Sequence, residues 1–295
     1  MTKPPGRLRE LLAAEGAVMA PGVADALFAR LVAKHGFDAL YMTGAGTSAT
    51  RLGMPDVGLL TLTEMVDNAA RIAGACELPV IADCDNGYGG PLNVRRAVQE
   101  YERAGVAAIH LEDQVLPKRC GHLAGKQLIP PAEMVAKIQA ATDARRDSDF
   151  VLIARTDALA VEGLERALER AALYGEAGAD VLFVEAPGPE HIAGIPGWLT
   201  RPAVYNMASS GKTPFLRRAE IAKLGFKLIL YPNWLLLAAI KAASSVLETL
   251  KRDESIAGIA PELPNFKQFF DLVGMEEVRD LEERYGVPEE ERVDY

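Results

Sequence analysis

One pattern recurs along the chain and narrows its possible folds: short, β-rich apolar runs that end in polar side chains alternate with segments of helical spacing. Eight such runs cover residues 17–21, 39–44, 79–85, 107–113, 150–157, 180–186, 202–207 and 227–232. They are almost unbroken in apolar character, as parallel strands covered on both faces must be. Residues 25–35, 63–76, 93–104, 132–144, 163–177 and 219–224 have helical periodicity, and Gly36, Gly105, Gly178 and Gly225 stand where a left-handed cap is expected. Eight strand–helix units predict an α/β chain closed into a (β/α)8 TIM barrel. An open, doubly wound sheet is the alternative, weakened because no G-x-G-x-x-G follows the first strand.

A length of 295 residues suits one such barrel. The net charge of −9 argues against nucleic-acid or anionic-membrane partners, both of which need a basic surface. Three cysteines (Cys76, Cys84, Cys120) are too few and too irregular for a disulfide framework. Residues 1–6 lead into no apolar signal core, and the apolar stretch at 228–240 is broken by Pro232 and Asn233. These features predict a reduced, cytoplasmic protein.

The strand ends carry the chemistry. Active sites of such barrels lie at the C-terminal ends of strands, and here four consecutive strands end in carboxylates, around Asp83 and Asp85, Glu112 and Asp113, Asp157, and Glu185. A ring of like charge is unfavourable unless cations neutralise it. Asp83 and Asp85 lie two apart, so on a strand both point to one face, with Glu112 on the next strand within reach. Oxygen-only donors suit Mg²⁺, or Mn²⁺, better than Zn²⁺. The spacing alone leaves open that the two Asp residues are turn acids capping the next helix. His110 reads as a packed strand histidine rather than a ligand; Cys76 and Cys84 read as packing residues.

After the fourth strand, Pro117 to Lys126 form a glycine-containing, basic, mobile loop that attracts anions. Lys118, Arg119 and His122 are expected to lower the pKa of Cys120 toward a range useful for proton transfer. A basic surface loop with an incidental thiol is the alternative.

The run Asp83-Cys84-Asp85-Asn86-Gly87-Tyr88-Gly89 resembles the metal-binding signature of the isocitrate lyase/phosphoenolpyruvate mutase superfamily, and Lys118-Arg119-Cys120-Gly121-His122 is similar to the catalytic-loop signature of its lyase branch. The resemblance spans about residues 19–232. It implies that Asp85 ligates Mg²⁺ while Asp83, Glu112 and possible ligand Asp56 hold its waters. It implies that Thr43, Gly44 and Ala45 bind a substrate carboxylate, and that Arg155 neutralises the carboxylate of the pyruvate or glyoxylate product. Asn206 and Glu185 line the pocket. It implies that Cys120, on a closing lid, donates a proton, that Gly121 beside it binds substrate, and that His122 and Lys118 shape that lid. The resemblance further implies one barrel domain over residues 1–295. Its C-terminal segment, about 262–295, carries a helix (268–285) swapped between subunits of a dimer within a homotetramer.

The tricarboxylate lyases of this branch carry an Arg shortly after the eighth strand, where Tyr231-Pro232 is followed here by Asn233-Trp234-Leu235. They carry a hydroxyl where Met207-Ala208 stand. Losing a cation and gaining apolar surface disfavours a third carboxylate. The expected activity is cleavage of a 2-hydroxy dicarboxylate, similar to a 2,3-dimethylmalate lyase. Oxaloacetate hydrolysis and 2-methylisocitrate cleavage are enzymatic rivals; phosphonate chemistry and decarboxylation leave the cysteine unexplained. A non-catalytic dicarboxylate-binding protein is the rival from another class.

Overall fold

A computed structural model describes residues 2–293. Eight parallel strands close into a barrel in chain order: β1 Val18–Val23, β2 Leu40–Met42, β3 Val80–Asp83, β4 Ala108–Glu112, β5 Val151–Thr156, β6 Val181–Val184, β7 Ala203–Asn206 and β8 Phe226–Tyr231. The closed order excludes the doubly wound alternative. The helices are α1 Pro4–Ala13, α2 Ala26–Lys34, α3 Gly44–Leu52, α4 Leu62–Gly74, α5 Pro91–Arg103, α6 Pro131–Ala144, α7 Leu164–Glu176, α8 Pro189–Ile192, α9 Ile195–Trp198, α10 Arg218–Lys223, α11 Trp234–Asp253, α12 Phe266–Leu272 and α13 Met275–Arg284. Gly36, Gly105, Gly178 and Gly225 all adopt positive φ just beyond α2, α5, α7 and α10, as the sequence predicts.

The alternation of side chains along each strand sorts the core into two layers. Tyr41, Ile81, Ala108, Val151, Ile153, Val181, Phe183, Val204, Leu228 and Leu230 fill the barrel. Met42, Val80, Ala82, Ile109, Leu152, Leu182, Tyr205 and Ile229 face the surrounding helices. Leu8 and Leu12 of α1 join the inner layer. Arg9 ties that helix to the carbonyls of Asp149 and Phe150 and to Asp180, so α1 covers the N-terminal end of the barrel. The strand-and-helix count did not anticipate α1, although Pro4-Pro5 at its first turn and the Leu8, Leu11, Leu12 spacing are a legible helix start.

The chain divides into two compact units, residues 1–236 and 237–295. The first holds the barrel; the second holds most of α11 together with α12 and α13. Among the described residues, no helix is long and apolar enough to cross a membrane.

The barrel closes where β1 pairs with β8 in the register Val18–Leu228 to Pro21–Tyr231. Gly22 continues β1 against Pro232, and a Cβ at Gly22 would overlap the Pro232 backbone. Gly22→Ala is therefore expected to cost about 3 kcal/mol or more, read as a lower midpoint in thermal or urea unfolding; an unchanged midpoint would show that the seam tolerates a side chain.

Candidate active site

The inward register that fills the barrel continues past its last apolar layer. Two residues beyond Tyr41, Ile81, Ile153, Phe183 and Val204 come Thr43, Asp83, Arg155, Glu185 and Asn206, and Ala108 is followed by His110 and Glu112. These polar side chains are buried and gather at the C-terminal mouth. There Thr43, Asp83, Arg155, Glu185 and Asn206 help to line a cavity of about 220 Å³ with Ala45, Asp56, Lys118, Cys120, Gly121 and His122, while His110 and Glu112 lie outside its lining. At ~30 Å³ per water that is room for about seven waters, the size of a small organic acid.

Asp83 and Asp85 come together by a turn, not by a pleat as the spacing suggested. β3 ends at Asp83, and Asp85 lies beyond it with φ 47°, its N–H donating to Asp83 Oδ1 at 2.9 Å. Tyr88 (φ 61°) and Gly87 (φ 81°) continue the left-handed stretch, and a Cβ on Gly87 would press into Val94 and Leu111. Such backbone is costly and is held by its surroundings: Tyr101 Oη donates to the Asp83 carbonyl, and buried Lys137 Nζ donates to the Asn86 carbonyl. Neither Asp caps α5, whose N-cap is Gly90 bonded to the Asn93 side chain. The capping alternative therefore falls.

Around this turn stand Asp56, Asp83, Asp85, Glu112, Asp157 and Glu185, against the permanent cations Lys118, Lys126 and Arg155. Lys118 Nζ lies 2.6 Å from Asp56 and 2.5 Å from Asp85. Burial works against its charge, yet Asp85, Asp83, Glu112 and Asp56 together hold its pKa well above the ordinary value. Burial pushes Asp85 up to about 7, with Asp83 and Asp56 adding to the rise against Lys118. Burial likewise raises Glu112, although Arg155 and Lys118 oppose it. Burial also opposes ionisation of Asp83 and Glu185, but His110, Lys118 and Arg155 outweigh it at Asp83, and Arg155, His122 and Asn206 at Glu185. Six carboxyl groups thus stand against three Lys and Arg cations of the chain, and Glu112 Oε1 is buried without a hydrogen-bond partner. Hard oxygen donors that outnumber the chain's own cations fit a divalent cation.

Asp83, His110 and Glu112 also bring one atom each within 4.8 Å of one another. His110 is nevertheless held as a packed ring, stacked near Tyr41 and Phe183, with Nε2 at 2.8 Å from Tyr41 Oη. Gly44 N–H donates to Asp83 Oδ2, while the Thr43 hydroxyl bonds Asn233 and caps α3. Arg155 gives Nε and Nη2 to Asp157 and places Nη1 3.3 Å from Glu112 and 3.2 Å from Glu185. Asn206 Nδ2 bonds both Glu185 oxygens, leaving its own Oδ1 without a partner.

The cysteine loop lies over this mouth. Its base is pinched by a bridge between Gln114 and Leu128, and the Gln114 side chain grips both the N–H and the C=O of Arg119. Cys120 N–H bonds the Asp56 carbonyl. Gly121 approaches Arg155 and Glu185 so closely that any Cβ would overlap them. The expected lowering of the Cys120 pKa is not found: burial raises it, and a bond from the His122 backbone recovers only part. The basic neighbours are engaged elsewhere, Lys118 with Asp56 and Asp85, Arg119 with the Ala124 carbonyl, and His122 between Glu185 and Ser210. Sequence neighbours in an extended loop point different ways, and adjacency was a poor guide.

The far wall also differs from expectation. Met207 and Trp234 do not line the cavity; Trp234 Nε1 donates to the Met207 carbonyl instead. Ala208, Ser209, Ser210, Pro232 and Asn233 form the wall. It is neutral and hydroxyl-bearing rather than apolar, and it carries no cation. Ser209, Ser210 and Lys126 were not anticipated as site residues; Asp157 was read only as one acid of the strand-end ring, and the inward period of β5 could have indicated its pairing with Arg155.

A family model described as phosphoenolpyruvate phosphomutase matches residues 8–251. The 2,3-dimethylmalate lyase of Eubacterium barkeri is 47% identical over 281 residues, covering 95% of this chain and 97% of that protein. The chain belongs to the phosphoenolpyruvate mutase/isocitrate lyase superfamily. The 2-methylisocitrate lyase of Aeropyrum pernix is 44% identical, over 93% of this chain and 89% of that protein. The structure of an oxaloacetate acetylhydrolase in complex with the inhibitor 3,3-difluorooxalacetate matches with a TM-score of 0.93 at 38% identity, covering 98% of this chain and 100% of that one.

In this superfamily member the raised Cys120 pKa has a direct consequence. A thiol is a proton donor below its pKa and loses that capacity as pH rises through it. With the value raised by burial, Cys120 stays protonated across neutral pH. At pH 8, iodoacetamide is expected to alkylate Cys120 several-fold more slowly than free cysteine, followed by peptide mass spectrometry. A faster rate would mark the thiolate that the basic neighbours suggested.

Proposed function

We propose that the chain is a Mg²⁺-dependent carbon–carbon lyase, with Mn²⁺ as a substitute. Its substrate is a 2-hydroxy dicarboxylate, 2,3-dimethylmalate or a similar alkylmalate, cleaved to pyruvate or glyoxylate plus a monocarboxylate. The observation that carries this reading is a half-buried thiol, Cys120, held by its loop over a small mouth that Asp56, Asp83, Glu185 and Arg155 line. The 47% identity to a 2,3-dimethylmalate lyase supports the substrate class.

Asp85 would hold Mg²⁺, with Asp83, Glu112 and Asp56 holding its waters. When bound, the cation stabilises charge developing on the C2 oxygen. Arg155 would neutralise the substrate carboxylate, with Thr43, Gly44 and Ala45 at the start of α3 completing its site, the Gly44 N–H being shared with Asp83. Ionised Glu185 and the unpartnered Asn206 Oδ1 are acceptors for the 2-hydroxyl. As C2–C3 breaks, its electron pair passes to C3, the hydroxyl proton to a carboxylate acceptor, and the Cys120 thiol proton to C3. Gly121 lets the lid seat closely enough to exclude water from that carbanion. Lys118 and His122 hold the lid to the acids and to Glu185.

The neutral far wall argues against a third carboxylate, because no cation faces it. The Ser209 and Ser210 hydroxyls favour a second reading, 2-methylisocitrate lyase, in line with the 44% identity to such an enzyme. Hydrolysis of oxaloacetate is a third, supported by the structural match to an acetylhydrolase. NMR of the products from each acid with Mg²⁺ decides among them: efficient turnover of 2-methylisocitrate removes the dicarboxylate assignment, and oxalate plus acetate from oxaloacetate marks the hydrolase. On the preferred substrate, EDTA abolishes turnover and Mg²⁺ restores it. Cys120→Ala lowers kcat by about 10²–10⁴-fold with little change in KM. If Cys120→Ala leaves every activity and metabolite affinity unchanged, the dicarboxylate-binding protein gains.

The second unit supports an assembly. Leu247 (64% exposed), Phe269 (48%) and Tyr285 (73%) present apolar surface that a soluble monomer rarely leaves open. A helix-swapped dimer within a cytoplasmic homotetramer would cover it. Light scattering is expected to give four chains per particle, and a monomer at micromolar concentration would remove this proposal.

A further inference from the structure

Lys126 ends the cysteine loop, and no step of the proposed reaction uses it. Its ammonium is nevertheless buried, with the side chain 3% exposed. Nζ donates to Asp157 Oδ1 at 2.7 Å and to the carbonyl of Gly121. The same Asp157 carboxylate receives Nε and Nη2 of Arg155 at 3.0 and 3.1 Å. Asp157 is itself fixed, because its N–H bonds Asp113 Oδ1, and Asp113 is held by Thr156 and Tyr174. Gly121, whose carbonyl Lys126 holds, is the lid residue that packs without a side chain against Arg155 and Glu185. One buried carboxylate is thus shared between the guanidinium that faces the cavity and the ammonium that holds the lid.

We propose that Lys126 is a positioning residue that latches the lid: it ties Gly121 to Asp157 and couples the seating of Cys120 to the orientation of Arg155. With the lid seated, Lys126 shares Asp157 Oδ1 with Arg155 Nη2, and Arg155 is fixed in its fork with Nη1 toward Glu112 and Glu185. With the lid lifted, Asp157 loses a cation and the Gly121 carbonyl loses its donor. Charge-assisted bonds of this kind are strong in a site shielded from water. Lys212, which reaches the His122 carbonyl at the exposed loop tip, lacks that second partner and serves as a control.

The test uses the full chain with Cys76→Ser, Cys84 being buried. Iodoacetamide alkylation of Cys120 is timed by mass spectrometry, with and without Mg²⁺ plus oxalate as an anionic probe, in Lys126→Met, Lys126→Arg and Lys212→Met. Expected is alkylation roughly tenfold to a hundredfold faster in Lys126→Met, with weaker protection by Mg²⁺–oxalate. Lys126→Arg should recover part of the protection, and Lys212→Met should stay within a few-fold of the parent. Circular dichroism checks that each variant is folded; if Lys126→Met is not, Lys126→Gln, too short to span both oxygens, carries the same expectation. Unchanged alkylation in the Lys126 variants, or an equal effect from Lys212→Met, overturns the latch. The kinetic arm, a fall in kcat greater than any rise in KM, rests on the lyase reading. The alkylation arm does not, so failure of that reading remains distinguishable from failure of the latch.

Discussion

Closing parallel strands into a barrel points alternate side chains at one axis, and at the C-terminal rim of this barrel three of the side chains that meet there are acids. Asp83, Glu112 and Glu185 are the next inward positions after apolar or aromatic core residues, so the geometry that packs Ile81 and Phe183 also crowds carboxylates. Removing them from water raises the cost of their charge, and proximity adds repulsion. The remaining features of the mouth answer that constraint. Arg155 is divided among three carboxylates, Lys118 stands between Asp56 and Asp85, and the left-handed turn at Asp85 aims a further oxygen at the same region. A divalent cation would complete the balance.

Much of this was legible in the sequence because barrel strands and their ends obey short-range rules. All eight apolar runs became strands, and the four capping glycines adopted the expected φ. The period of two that makes a strand recognisable also told which residues face inward, and so Thr43, Asp83, Glu112, Arg155, Glu185 and Asn206 converge. Legibility failed where the chain leaves regular structure. Asp85 reaches Asp83 through a turn that spacing does not encode, and the Cys120 environment depends on where Lys118, Arg119 and His122 point. The far wall was misjudged for a related reason: Met207 and Trp234 face each other's backbone and side chain, and the cavity is lined by the next residues, Ser209 and Ser210. Lys126 reads as one more basic loop residue until Asp157 is seen beside it.

The cysteine loop illustrates how a segment without regular structure acquires a defined position. Gln114 clamps the backbone of Arg119 with two bonds, Cys120 N–H is taken by Asp56, and Gly121 seats where only a hydrogen fits. These anchors come from three different strand–helix connections, so the loop's conformation is a property of the assembled barrel. The raised pKa of the thiol follows from the same packing, because seating the loop buries Cys120 and burial favours the neutral form.

At the opposite end, Leu8 and Leu12 of α1 belong to the layer that fills the barrel. A barrel stoppered at its base has one doorway. Whatever enters through the mouth must turn around and depart the same way, past Gly121 and Cys120. Between that base and the mouth lies the layer of Tyr41, Ile81, Phe183 and their neighbours, so whatever is divided above it would share a single exit with whatever came in.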